Sequence, residues 1–202
     1  MTSDEYVAGK KWLEATLKCC PWHPQGGCGF SRHGTYERVK PPGTLIARWY
    51  CPKQHCTISA LPDCLASHYS GTLIELEAIV LRIEQAPSLA GVAESLRPAI
   101  EPPGARRYCY RLVQSIGSAL QTLRGLWPDL FECRQNLAHL NALLPSAPSV
   151  LMSLRQQAWP FLPGLPTPFG FNPSPSIAAT SSPVCQHKVG HDPPQAFLDA
   201  SG

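Results

Sequence analysis

Cys20-Pro-Trp-His23 sets a thiol and an imidazole either side of a two-residue gap, and Cys28 follows after Gly26-Gly27. Further on, Cys51-Pro-Lys-Gln-His55-Cys56 puts two more thiols and another imidazole into a second proline-led turn. These are the donors of a tetrahedral zinc site, which takes four sulfur or nitrogen ligands. The usual source is two turn-borne pairs, because both donors of a pair must reach one ion about 2.0–2.3 Å away. Cys20 and Cys51 anchor the two pairs. Cys28 or His23 is expected as the second ligand, and Cys56 or His55 as the fourth. Buried free thiols are the plainer alternative, since cysteine is among the most buried residue types. Scattered thiols, however, do not explain two proline-led clusters.

The elements that must position these donors are legible nearby. Residues 34–40 and 44–51 are β-favouring runs flanking Pro41-Pro42-Gly43, a hairpin signal lying between the two clusters as in a zinc ribbon. Residues 1–68 are therefore expected to form a small zinc-ribbon β-hairpin unit. Residues 69–159 carry helical periodicity. Leu73, Leu76, Ile79, Val80 and Ile83 mark a first helix stopped by Pro87. Ser88 caps a second, with Leu89, Val92, Ala93 and Leu96 on one face and Pro98 at its end. A third is expected over 104–125, a fourth over 128–144 with Pro128 at its first position, and a fifth over 149–159. From 160 to 202 proline recurs every few residues without periodicity, so a disordered tail is expected. That tail holds Cys185, His187 and His191, whose metal-binding types are read as adventitious there.

Composition narrows the class. The 202 residues suit one domain or two small ones. Charged residues make up 15%, below the usual quarter, while 22 prolines favour loops and tails. No stretch approaches the roughly 20 apolar residues of a membrane span. The N-terminus has early acids and no apolar run, so a signal peptide is not expected. The chain is expected in the cytoplasm, where thiols stay reduced and bind metal more often than they pair. Nine cysteines, an odd number, also argue against a complete disulfide framework.

Arg32-His33-Gly34, Tyr36, Arg38, Arg48, Tyr50-Cys51, Thr57-Ile58-Ser59 and Leu61-Pro62 together resemble one known pattern. It is the zinc-ribbon head of some bacterial insertion-sequence transposases and their stand-alone relatives. The resemblance covers about a quarter of the chain, residues 32–65, and about a third with the helix after Gly71. It implies zinc binding and DNA binding associated with mobile elements. The family pattern has Cys-x-x-Cys at both knuckles, whereas His23 and Gln54 stand at the second positions here.

The residues themselves lean the same way. Residues 1–60 hold eight Lys or Arg against four acids, and the whole chain carries a net charge of +3. Arg32, Arg38 and Arg48 interleave with aromatics on the hairpin, a pattern suited to phosphates and unpaired bases. The same residues would equally serve a small ribbon's solubility and thin core. The second and third helices resemble a helix-turn-helix, with Arg106, Arg107 and Arg111 opening the recognition helix. Their connection is longer than the usual three or four residues, and a basic-faced bundle is the alternative.

A nuclease core would need separated carboxylates around two Mg²⁺ ions. The acids after the ribbon fall mostly in helices, and no nucleophile elbow occurs. The expected reading is a non-enzymatic, zinc-dependent DNA-binding protein, transposase-related, with a protein partner or a second copy also possible. A zinc-stabilised protein-interaction module is the alternative.

Overall fold

The computed structural model describes residues 1–96, 102–131, 136–144 and 147–171, and the backbone of 184–187. A three-stranded antiparallel sheet leads, in the order β1 (Ser31–Arg38), β2 (Thr44–Cys51), β3 (Cys56–Pro62). The backbone of β4 (Val184–His187) adds in parallel to the free edge of β3, Ser59 opposite Val184. Before the sheet stands a short helix, α1 (Ser3–Ala8). Five helices follow β3: α2 (Leu73–Gln85), α3 (Leu89–Leu96), α4 (Pro102–Leu126), α5 (Leu137–Leu143) and α6 (Val150–Gln157). No described helix is long and apolar enough to cross a membrane.

Strand periodicity explains how the sheet is covered, since alternate residues face opposite sides. On β2, Ala47 and Trp49 join Ala60 of β3 in a small core closed by Tyr6 of α1 and by Trp12. Arg32 helps hold that N-terminal cover. Its guanidinium lies 5.5 Å over the Trp49 ring and donates to the carbonyls of Trp12 (2.6 Å) and Ala15 (3.2 Å). Ile46 and Leu61 enter the large core instead, with Leu73 and Leu76 of α2, Leu112 and Ile116 of α4, and Leu151 and Leu154 of α6.

The helices are docked by carboxylates as well as by apolar burial. On α2, Glu77 accepts from Ser149 Oγ (2.5 Å) and from the backbone N–H groups of Val150 (3.1 Å) and Leu151 (3.0 Å). One face further along, Glu84 accepts from the N–H groups of Leu137 (3.0 Å) and Ala138 (2.8 Å). Each carboxylate thus satisfies the orphan donors at the start of a helix, α6 or α5, where negative charge is favoured.

Three expectations change. The helix over 128–144 is not continuous: Pro128–Phe131 is a short 3₁₀ turn, and α5 starts afresh. Asn136 is the reason, because its extended backbone leaves the helical region and its side chain accepts from His139 N–H. The intervening 132–135 lies outside the described residues, as does 97–101 between α3 and α4.

Next, the tail expected from Pro160 is ordered over its first part. Leu162, Leu165 and Phe169 are buried in the large core. The Ser115 hydroxyl donates to the Thr167 carbonyl (2.5 Å), and the Ser67 hydroxyl reaches the carbonyls of Pro168 and Gly170. Apolar residues spaced between prolines fill gaps without helical periodicity, so pattern reading passes over them. Apart from the backbone of β4, the rest of the tail lies outside the described residues.

Finally, the boundary expected at residue 68 falls inside a loop, 63–71, gripped from both sides. Arg38 of β1 donates to the carbonyls of Ala66 (3.0 Å) and Tyr69. Arg155 of α6, fully buried, donates to the carbonyls of Leu65 and Asp63 (3.4 Å). Burial pulls the Arg155 guanidinium down to about 10. The sheet and the helices consequently share one core.

Candidate metal centre

The sequence from Cys20 turns tightly. His23 N–H donates to the Cys20 carbonyl (3.0 Å), and Gly26 N–H donates to the His23 carbonyl (2.8 Å). Gly26 and Gly27 then take φ of 85° and 76°, a left-handed backbone that side chains rarely adopt. That double reversal returns the chain so that Cys28 reaches the same point as Cys20 and His23. Cys51 arrives from the end of β2. The donor atoms of Cys20, His23, Cys28 and Cys51 all lie within 4.8 Å of one another.

The spacing fits an ion. With metal–sulfur and metal–nitrogen bonds of about 2.3 and 2.05 Å, a tetrahedron puts sulfur and nitrogen about 3.6 Å apart. His23 Nδ1 lies 3.5 Å from Cys20 Sγ and 3.6 Å from Cys51 Sγ. Three thiols and an imidazole form a Cys₃His set, and this cluster can bind a metal ion. Such soft, borderline donors suit zinc among the common divalent ions.

Both turns also present backbone to sulfur. The N–H groups of Trp22 and His23 approach Cys20, and those of Lys53 and Gln54 approach Cys51, at the same sequence offsets. Burial pushes the Cys20 thiol up to about 11, more than its N–H partners offset. At Cys51 burial also opposes ionisation. The Gln54 N–H, the thiols of Cys20 and Cys28, and the Lys53 N–H outweigh it and hold that thiol below its ordinary value. Of the two thiols, Cys51 is therefore the more readily ionised.

The second turn departs from expectation. His55 and Cys56 are not in the cluster, and the first turn supplies three donors instead of two. The cause is register. The 52–55 turn, closed by His55 N–H on the Pro52 carbonyl (3.3 Å), delivers Cys56 to β3 as the partner of Cys51 across the ladder. His55 takes a left-handed backbone (φ 50°), with its Nδ1 3.4 Å from the Tyr50 hydroxyl. Gln54 occupies the position where a second thiol would reach the ion, and it contributes its N–H alone.

The six basic residues named from the sequence divide. Arg32 and Arg38 are spent on backbone carbonyls within the fold, as described above. Arg48 lies over the Tyr36 ring, 5.4 Å from its centroid. Arg106, Arg107 and Arg111 are exposed on the first turns of α4, where the Arg111 Nε–H donates back to the Arg107 carbonyl (3.4 Å). Two acids weighed for a nuclease, Glu77 and Glu84, are occupied as helix caps. Comparison with protein-family models, with curated proteins and with solved structures gives no match to this chain.

Proposed function

We propose that this chain is a zinc-stabilised DNA-binding protein, related to the heads of insertion-sequence transposases and without a nuclease core. The observation that carries the zinc part is the cluster of buried Cys20, Cys28 and Cys51 with half-buried His23, its nitrogen–sulfur distances tetrahedral. Support for the DNA part comes from α4 rather than from the hairpin. That helix contains four arginines and no acid, and Arg106, Arg107 and Arg111 stand exposed within its first three turns. Helix starts with exposed arginines suit phosphates and guanine edges. The zinc site would act at a distance, by fixing the sheet on which the helices pack.

Fluorescence anisotropy of the zinc-loaded chain with a labelled duplex, across a salt series, tests this reading. Log affinity should fall linearly with log salt, by about 0.9 per phosphate neutralised. Changing Arg106 and Arg107 together to Ala should flatten that slope by up to about two units. Arg32→Ala should leave the slope unchanged, because its guanidinium is already engaged. The second reading is a zinc-stabilised protein-interaction module. The internal use of Arg32 and Arg38 favours it, as does Tyr110, 60% exposed between Arg107 and Arg111. That reading gains if no duplex binds even at low salt with zinc in place.

A further inference from the structure

A cleft of about 510 Å³ opens between the sheet and loop 63–71, within the range of small-molecule sites. Its walls bear Arg38, Lys40, Arg48, His68 and the rings of Tyr36 and Tyr69, and among the described residues none that lines it is acidic. Concave walls with one sign of charge focus field and concentrate counter-ions.

The cations differ in what they have left to offer. Arg38 is committed to the carbonyls of Ala66 and Tyr69, so it builds the wall. Arg48 lies over the Tyr36 ring, and among the described residues its guanidinium has no hydrogen-bond partner. Its Nε is buried, so that donor cannot turn to water instead. Its two outer nitrogens are not buried, and as a planar pair of unused donors they match two oxygens of an anion. Lys40 stands exposed at the rim and forms no ion pair among the described residues. Two uncommitted cations suit a dianion, and a phosphate monoester carries about −1.5 to −2 at neutral pH. The half-exposed ring of Tyr69 adds aromatic surface against which a base can pack. Tyr69 also ties the cleft to α4: its hydroxyl donates to the Arg111 carbonyl (3.3 Å), and its ring meets Tyr108 edge-on at 6.3 Å.

We propose that this cleft binds a phosphate monoester of nucleotide size, with Arg48 and Lys40 holding the phosphoryl oxygens and the Tyr69 ring flanking the nucleoside. A free nucleotide and the phosphorylated end of a DNA strand present this same chemistry. The site does not depend on duplex binding through α4, and the two ideas fail separately.

The test is calorimetric titration of the zinc-loaded full chain with deoxyadenosine 5′-monophosphate, with unphosphorylated deoxyadenosine as control. The monophosphate should bind at one site and the nucleoside should not. Arg48→Gln should weaken binding about tenfold or more, the effect of losing charge-assisted hydrogen bonds. Lys40→Gln, at an exposed position that cannot disturb the core, should weaken it about threefold or more. Absence of saturable nucleotide binding, or affinity indifferent to both substitutions, overturns the proposal. Oligonucleotides with and without a 5′-phosphate identify the source: preference for the phosphorylated strand marks a strand end, and equal binding marks a free nucleotide. Nucleotide binding without duplex binding removes the reading of α4 as a duplex-binding helix and leaves this one. Duplex binding without nucleotide binding does the reverse.

Discussion

Removing one donor at a time from the two knuckles should separate ligands from neighbours. Structural zinc sites bind with about 10–16 kcal/mol at neutral pH, so one of four evenly sharing ligands contributes about 2.5–4 kcal/mol. At about 1.4 kcal/mol per decade, that is roughly a hundredfold to a thousandfold loss of affinity. His23→Ala, Cys28→Ser and Cys51→Ser should each fall in that range. Cys56→Ser and His55→Ala should stay within about threefold of the parent, since neither donor lies in the cluster. Competition against a chelator of known affinity measures the series. X-ray absorption on the zinc-loaded chain adds the shell: three sulfurs at about 2.3 Å and one nitrogen at about 2.0–2.1 Å. A four-sulfur shell, or a Cys56→Ser loss equal to that of Cys28→Ser, would refute the assignment.

Further consequences concern stability. Glu77→Ala leaves two buried N–H groups and a buried hydroxyl at the start of α6 without their acceptor. It should cost about 2–4 kcal/mol in urea unfolding, and a cost below about 0.5 kcal/mol would contradict the capping role. Ending the chain at Trp159 removes Leu162, Leu165 and Phe169 from the core, and should cost at least about 3 kcal/mol, the scale of one lost core Phe. In the intact chain, limited proteolysis should leave 160–171 attached to the resistant fragment. His68 is held below its ordinary pKa by burial and then by Arg38. The unfolded chain then binds more protons in that range, so stability is lost as pH falls below about 6.5. His68→Asn, which tolerates the left-handed backbone there (φ 57°), should shrink that loss, and an unchanged pH profile would count against it.

The hairpin and most helices were readable because their patterns are local. Pro41-Pro42-Gly43 between β-favouring runs, and apolar stripes closed by Pro87 and Pro98, need only neighbouring residues to be recognised. The donor set was half readable. Cysteines and histidines announce chemistry, but choosing four of six depends on register, and the strand character of Cys56–Pro62 shows only in its pairing with β2. Once Cys56 is the ladder partner of Cys51, the first turn must supply three ligands. The arginines were the least readable. Arg32 and Arg38 look like a nucleic-acid face in sequence, yet their acceptors lie 17 to 31 residues away along the chain. The α1 capping box, Thr2 with Glu5, was a local signal that acidic, polar composition hid.

The double grip on loop 63–71 bears on how portable the N-terminal sheet and its candidate metal site are. A ribbon that folds alone can be moved between proteins by cutting at its edge. Cutting this chain at residue 68 would strip Arg38 of its Tyr69 acceptor and leave Ile46 and Leu61 facing water. The sheet is therefore not an exchangeable cassette. Any fusion or rearrangement that kept it folded would have to carry the helices along, and the seam would lie beyond Phe171 rather than between sheet and helices.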